Sequence, residues 1–421
     1  MFEKIKLHLN TATARQTLVA SVSTVANGLL GAAFYFFLAR YLGAQGYGIF
    51  SVGVSLITTL SGVFDLGSDQ SLIKFLPGSS KSDFYQYLKL AFFIKIFSGL
   101  VILLSLVLLS NYLAADVFRQ PELTSMMFWI GIGVITQLLF SFATSIAQSL
   151  QRYYLWGILF IGTNLFRLIL LFGLYFNNNL NPSNVLYVYT LLPFLGFLAI
   201  IPTIKFNYFK VNISHSVLQK FFAFNKWITG FVILSSINSR LDVFFVARYI
   251  SISAVGIYSL CLQVVSVLPQ LTSALGAVTS PKFSSFTTIK QNTDYVKKSS
   301  LLSFLFAFFS IAFLLPLSIF ILNASGEIYL SGFSSLVVLL LSSAIFLITT
   351  PIRDSVLYYF GKPKVFFYAG IFQVILYVLI GPYLMENYSI LGASLLVLIN
   401  IIISSIFYLF TYRRLINDKN T

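Results

Sequence analysis

Runs of about twenty apolar residues recur along this chain of 421 residues, and they leave it few folds to choose from. A helix needs about 20 mostly apolar residues to cross the ~30 Å hydrocarbon core of a bilayer. Inside that core only helices and closed barrels satisfy their own backbone groups. The rule places spans at 16–39, 46–73, 88–111, 123–150, 153–176, 184–206, 222–248, 254–279, 300–323, 328–351, 364–385 and 388–411. The second span is the least uniform, because Asp65 and Asp69 interrupt it. The expectation is an all-α membrane protein of about 12 transmembrane helices with almost no mass outside the bilayer.

Charge bears on the same question. Only 9% of residues are charged and 58% are hydrophobic, whereas a soluble domain carries about 25% charged residues. The formal net charge of +15 is spread over short loops, so no nucleic-acid partner is expected. With the N-terminus inside, the loops of one side gather twenty-one Lys and Arg, from Lys4 through Lys81, Lys220, Lys290, Arg353 and Lys362 to Arg413. The other side has three: Arg40, Arg119 and Arg248. Cytoplasmic loops carry the positive excess, so both termini are expected in the cytoplasm; the expected location is the plasma (inner) membrane. The basic stretch Met1–Arg15 resembles a signal peptide, but the run from Gln16 to Ala39 is too long for its apolar core and reads as the first span. The chain has one Cys (Cys261) and two His (His8 and His215). They allow no intrachain disulfide and no Cys/His metal site, and no cofactor is expected.

Two polar stretches, Lys205–Lys226 and Pro281–Ser300, are too short to fold alone and read as interfacial amphipathic pieces. The segment Asn177–Pro182 is a turn signal between spans.

The chain also repeats itself. Phe37–Ser51 (FLARYLGAQGYGIFS) aligns without a gap on Phe245–Ser259 (FVARYISISAVGIYS), with seven of fifteen positions identical, and Lys74-Phe75 matches Lys282-Phe283 in the same register. An even number of spans separates the copies, so the repeats are parallel. Transporters built this way place the substrate path between the halves. Two six-span halves, 1–210 and 211–421, are expected.

Leu38-Ala39-Arg40-Tyr41-Leu42-Gly43, Gly46-Tyr47-Gly48 and Asp65-Leu66-Gly67 resemble the start of polysaccharide-biosynthesis flippases of the Wzx (O-antigen) type. So do Ser239-Arg240-Leu241-Asp242 and Gly256-Ile257-Tyr258-Ser259 in the second half. These flippases belong to the multidrug/oligosaccharidyl-lipid/polysaccharide exporter superfamily. The resemblance implies two six-helix bundles around a central cavity and transfer of an undecaprenyl-diphosphate-linked oligosaccharide from the cytoplasmic to the outer leaflet, with membrane lipids and polysaccharide polymerases or ligases as partners. It says nothing of which sugars.

Ionisable residues inside a span are functional candidates by default. Here they are Arg167 in span five, Arg240 and Asp242 in span seven, Asp65 in span two and Lys95 in span three. One reading is a cationic cavity for a diphosphate, since the guanidinium fork matches phosphate geometry. Asp65 and Asp242 then limit the net charge or carry a coupling ion. The other reading is buried ion pairs that join helices. Arg240 and Asp242 cannot pair on one helix face, being two residues apart. Asn27, Gln137, Gln148, Asn164 and Asn238 read first as interhelical hydrogen-bond formers, and Arg40 and Arg248 as structural anchors. Two rival functions remain: a cation-coupled multidrug exporter, against which the basic census argues, and a membrane polysaccharide polymerase. The polymerase lacks a large outer loop and any nucleophile–base pair or metal motif.

Overall fold

The computed structural model describes residues 12–203 and 210–420. The basic stretch Met1–Thr11, and residues 204–209 within the polar run read from Lys205, lie outside them. Among the described residues every regular element is helical. They are α1 (Ala12–Phe64), α2 (Ser68–Phe75), α3 (Lys81–Leu108), α4 (Met127–Ser149), α5 (Tyr153–Phe176), α6 (Pro182–Ile200), α7 (His215–Asn238), α8 (Leu241–Tyr249), α9 (Ile252–Val265), α10 (Val267–Ser285), α11 (Ile289–Ser325), α12 (Phe333–Asp354) and α13 (Pro363–Asn420). Nine helices among the described residues are long and apolar enough to cross a membrane, or ten if α9 and the start of α10, bent by 40°, count as one crossing.

Two long helical runs each hold two helices joined at a kink. α1 has 53 residues, and its helical geometry is interrupted at Gly43 (φ 66°, ψ 176°). α13 has 58 residues and is interrupted at Ser389 (φ 53°, ψ −138°). Both interruptions fall at or next to the boundaries drawn from the sequence, between 39 and 46 and between 385 and 388. The positive φ at Gly43 costs a residue without Cβ little. The polar stretches are corrected. Pro281–Ser300 is not a separate interfacial piece, because α10 runs on to Ser285 and α11 starts at Ile289. Thr288 and Gln291 form a capping box there, which satisfies the free amides and lets the helix begin in polar sequence. Likewise, from His215 the polar run is already the first turns of α7.

Side chains on the outside confirm the solvent. α11 exposes Phe308, Phe309, Phe313 and Phe320, and α3 exposes Phe97, Leu104 and Leu108. Continuous apolar faces of this kind are suited to lipid and would aggregate in water.

The chain divides into two compact units. One comprises residues up to Phe34 and Val52–Ile237; the other comprises Tyr35–Ser51 and the chain from Asn238 on. In the first, Leu72, Leu88, Phe142, Ile146 and Phe221 form the core under α2, α3, α4 and α7. In the second, Phe283, Val296, Val356 and Tyr412 form a smaller cluster.

The repeat reappears inside each unit as equivalent contacts. Ser80 caps α3 by accepting from Asp83 N at 3.1 Å, and Thr288 caps α11 by accepting from Gln291 N at 3.3 Å. Phe75 stacks on Tyr87 at 5.0 Å, and Phe283 meets Tyr295 edge-on at 5.1 Å. Each pair of equivalents is as far apart in sequence as Arg40 and Arg248. Within the second unit the repeated motifs touch reciprocally: a Cβ on Gly48 would strike the Ile252 carbonyl, and one on Gly256 would strike the Ala44 carbonyl.

Candidate functional site

The intramembrane charges fall into three settings. The first is a closed ion cluster. α1 ends at Phe64, and Leu66 (φ 51°) and Gly67 (φ 75°) turn the chain into α2. The break directs two carboxylates, Asp65 and Asp69, toward one ammonium on α3. Lys95 Nζ pairs with Asp65, lies 3.0 Å from Asp69 and donates to Ser141 Oγ on α4 at 2.8 Å. Ser68 Oγ donates to Asp65 at 2.7 Å. Lys95 is 1% exposed and Asp65 5%, so the ammonium has no access to a substrate without rearrangement. α7 closes the break: Thr229 Oγ1 donates to the Leu66 carbonyl at 2.8 Å, and Ser71 Oγ donates to Asn225 Oδ1 at 2.8 Å. Asp65 and Lys95 thus form an ion pair between the α1–α2 break and α3.

The second setting is a cation without a counter-charge. Arg167 lies mid-way along α5 and is 9% exposed. Its Nη1 donates to Asn164 Oδ1 at 3.1 Å, and its Nη2 donates to the Tyr189 carbonyl at 3.4 Å. The guanidinium lies 3.8 Å above the Tyr189 ring. Its Nε has no hydrogen-bond partner among the described residues. Asn164 in turn donates to Asn27 Oδ1 at 2.6 Å. The chain Asn27–Asn164–Arg167–Tyr189 thus links α1, α5 and α6 through neutral groups only. A guanidinium cannot discharge itself by losing a proton, so the first unit holds a buried cation with no ion pair among the described residues and with an unpaired Nε.

The third setting is the second unit's broken helix. The sequence places Arg240 and Asp242 in one continuous span, but residues 239–240 form a turn between α7 and α8. Half-buried Arg240 stands just ahead of α8 and forms no ion pair among the described residues. Asp242, 5% exposed, accepts from the Tyr258 hydroxyl at 2.8 Å and from Val243 N at 2.8 Å. The break follows Ser235-Ser236-Ile237-Asn238-Ser239, a polar run whose side chains compete for backbone hydrogen bonds.

Two residues of this chemistry escape the sequence reading. Asp69 was legible as an interruption but its partner was not. Arg353 reads as a loop cation because the apolar run stops at 351; in the structure it occupies the last turn of α12, its guanidinium 4.0 Å above the Phe346 ring. Arg40 is an anchor as expected: its guanidinium donates to the carbonyl of Ala324 in the last turn of α11, where a helix leaves carbonyls unpaired.

Helices broken or kinked at mid-length, with ionisable groups at the breaks, define a class: multi-pass membrane transporters. Solved structures agree on the fold. The chain is similar to an inward-facing multidrug resistance MATE family transporter of the MOP superfamily, with TM-score 0.76 and 11% identity over 94% of this chain and 96% of that one. It is also similar to the lipid II flippase MurJ in an inward closed conformation, with TM-score 0.73 and 17% identity over 94% and 87%. The family described as polysaccharide biosynthesis protein matches residues 13–287. A relative from Shigella flexneri named "Putative O-antigen transporter" is 22% identical over 390 residues, covering 90% of this chain and 92% of its own. The chain belongs to the polysaccharide biosynthesis protein family, and the relative and the structural neighbours it resembles are transporters or flippases.

Proposed function

We propose that the chain moves an undecaprenyl-diphosphate-linked oligosaccharide repeat unit from the cytoplasmic to the outer leaflet of the inner membrane for surface polysaccharide synthesis. The observation that carries the anionic headgroup is the contrast between the first unit's two buried cations. Lys95 is matched by two carboxylates, whereas Arg167 meets only neutral groups and keeps a donor unused. An uncompensated guanidinium in a low-dielectric interior favours a phosphate ligand. Arg240 supplies a second cation at similar depth in the other half, and Asp242 adjusts the charge near it. Asp65 and Lys95 serve the path by holding the α1–α2 break in place.

In this reading α1 and α13 each cross twice at their kinks. That makes twelve crossings in two six-span halves, 1–210 and 211–421, with both termini cytoplasmic. The halves rock to alternate access, and the product passes to a polymerase or ligase. The likeness to multidrug exporters supports the fold and carries no argument for their substrates.

The test deletes the gene and follows lipid-linked repeat units by leaflet. Accumulation on the inner leaflet is expected, rescued by the wild-type gene and not by the R167A/R240A double variant at equal membrane level. Full rescue by the double variant overturns the assignment. Units that reach the outer leaflet in the deletion strain overturn the flippase step itself.

A further inference from the structure

We propose that the second unit contains a separate site for a protonated oxyanion, a phosphoryl group, in the cavity beside Arg353. The cavity has a volume of about 170 Å³ and lies among α12, α13 and the end of α7. That is room for about five waters, or for one phosphoryl group with its shell. Its polar lining includes Arg353, Asn238, Gln373, Asn400, Ser404 and Tyr408, and no carboxylate among the described residues lines it.

Three lining atoms are unsatisfied, and together they specify a ligand. Arg353 Nε has no hydrogen-bond partner among the described residues, and no ion pair there includes Arg353. Its neighbour Asp354 is engaged by the Thr279 hydroxyl at 2.6 Å. The guanidinium rests on the Phe346 and Tyr408 rings at 4.0 and 5.3 Å, and it also interacts with the Tyr408 hydroxyl and, electrostatically, with Asp354. Asn238 Oδ1 and Asn400 Oδ1 are buried acceptors without donors. Their amide nitrogens are fixed on the carbonyls of Gly370 and Leu396, both at 3.2 Å, so neither amide can turn to offer a donor. Gln373 is likewise fixed by its bond to Ser404 Oγ at 2.8 Å.

The cavity therefore offers a fixed positive charge beside two fixed acceptors. A bare halide meets the charge and is repelled by the amide oxygens. Water meets the amides but adds no negative charge to a guanidinium whose neighbouring carboxylate, Asp354, is shared with Thr279. A group with both O⁻ and O–H satisfies all three, and a monoprotonated phosphoryl group is that chemistry. It can arrive as inorganic phosphate or as the phosphate of a lipid. The site is independent of the substrate reading above: failure here leaves the Arg167 test untouched, and the reverse holds.

The test titrates the purified full chain in nanodiscs with inorganic phosphate, with a short prenyl monophosphate and with chloride, reading heat and thermal unfolding. Wild type is expected to bind phosphate, R353Q at least tenfold more weakly, R353K between the two, and N400A several-fold more weakly. Binding of inorganic phosphate assigns a free anion; binding of the prenyl phosphate alone assigns a lipid headgroup. Either must depend on Arg353 or, if R353Q does not fold, on Asn400. No binding of either, binding unchanged in the variants that fold, or chloride binding as tightly as phosphate overturns the proposal.

Discussion

Lys95 is the residue whose loss has the plainest consequence. Removing its ammonium leaves Asp65 and Asp69 buried together without a cation. Breaking a buried pair by deleting one partner costs about 3–5 kcal/mol, while replacing all members with apolar groups is often neutral. K95A is expected to lower thermal stability sharply in detergent, and the triple variant K95M/D65L/D69L is expected to recover it. Normal export by the stable triple variant would mark the cluster as purely structural; lost export would return Asp65 and Lys95 to the substrate path. Arg167 behaves oppositely. Its partners are neutral, so R167Q is expected to cost little stability and to abolish export. R167K is expected to restore only part of it, because a point charge does not replace a planar fork. Export rate at matched protein level is the measure.

At the scale of elements, the breaks matter more than the helices. Gly48 and Gly256 let two helices approach backbone to backbone, as small residues do in membranes. G48A improves helix propensity, yet its methyl group would meet the Ile252 carbonyl. A net loss of about 1–3 kcal/mol is expected from overpacking, read as a lower unfolding temperature, and G256A should match it because the contact is reciprocal. The caps are smaller terms: S80A removes the acceptor for Asp83 N and should cost about 1 kcal/mol.

For the whole molecule, orientation is the open quantity and Cys261 makes it measurable. It is the chain's one cysteine and is buried, donating to the Gly332 carbonyl at 3.4 Å. C261A is therefore expected to fold and to give a cysteine-free background. Cysteines then placed at Ser79 and at Lys362 should react with an impermeant thiol reagent only from the cytoplasmic face, and one placed at Asn179 only from outside. Any other pattern reverses the assignment of the termini.

The sequence by itself determined the helices, the turn at Asn177–Pro182, the repeat and the family, because these depend on composition and periodicity within about twenty residues. It also located the intramembrane charges. Tertiary structure decided what those charges meet, since Asp65 and Lys95 are brought together from different helices while Arg167 is brought to Tyr189 and no carboxylate. It supplied the joints at Gly43 and Ser389, where one residue outside helical geometry bends the chain between two spans, because that conformation leaves no mark in the apolar pattern. It placed Arg353 inside a bundle because a guanidinium on a long stem reaches back along its own helix, and no linear rule counts that reach.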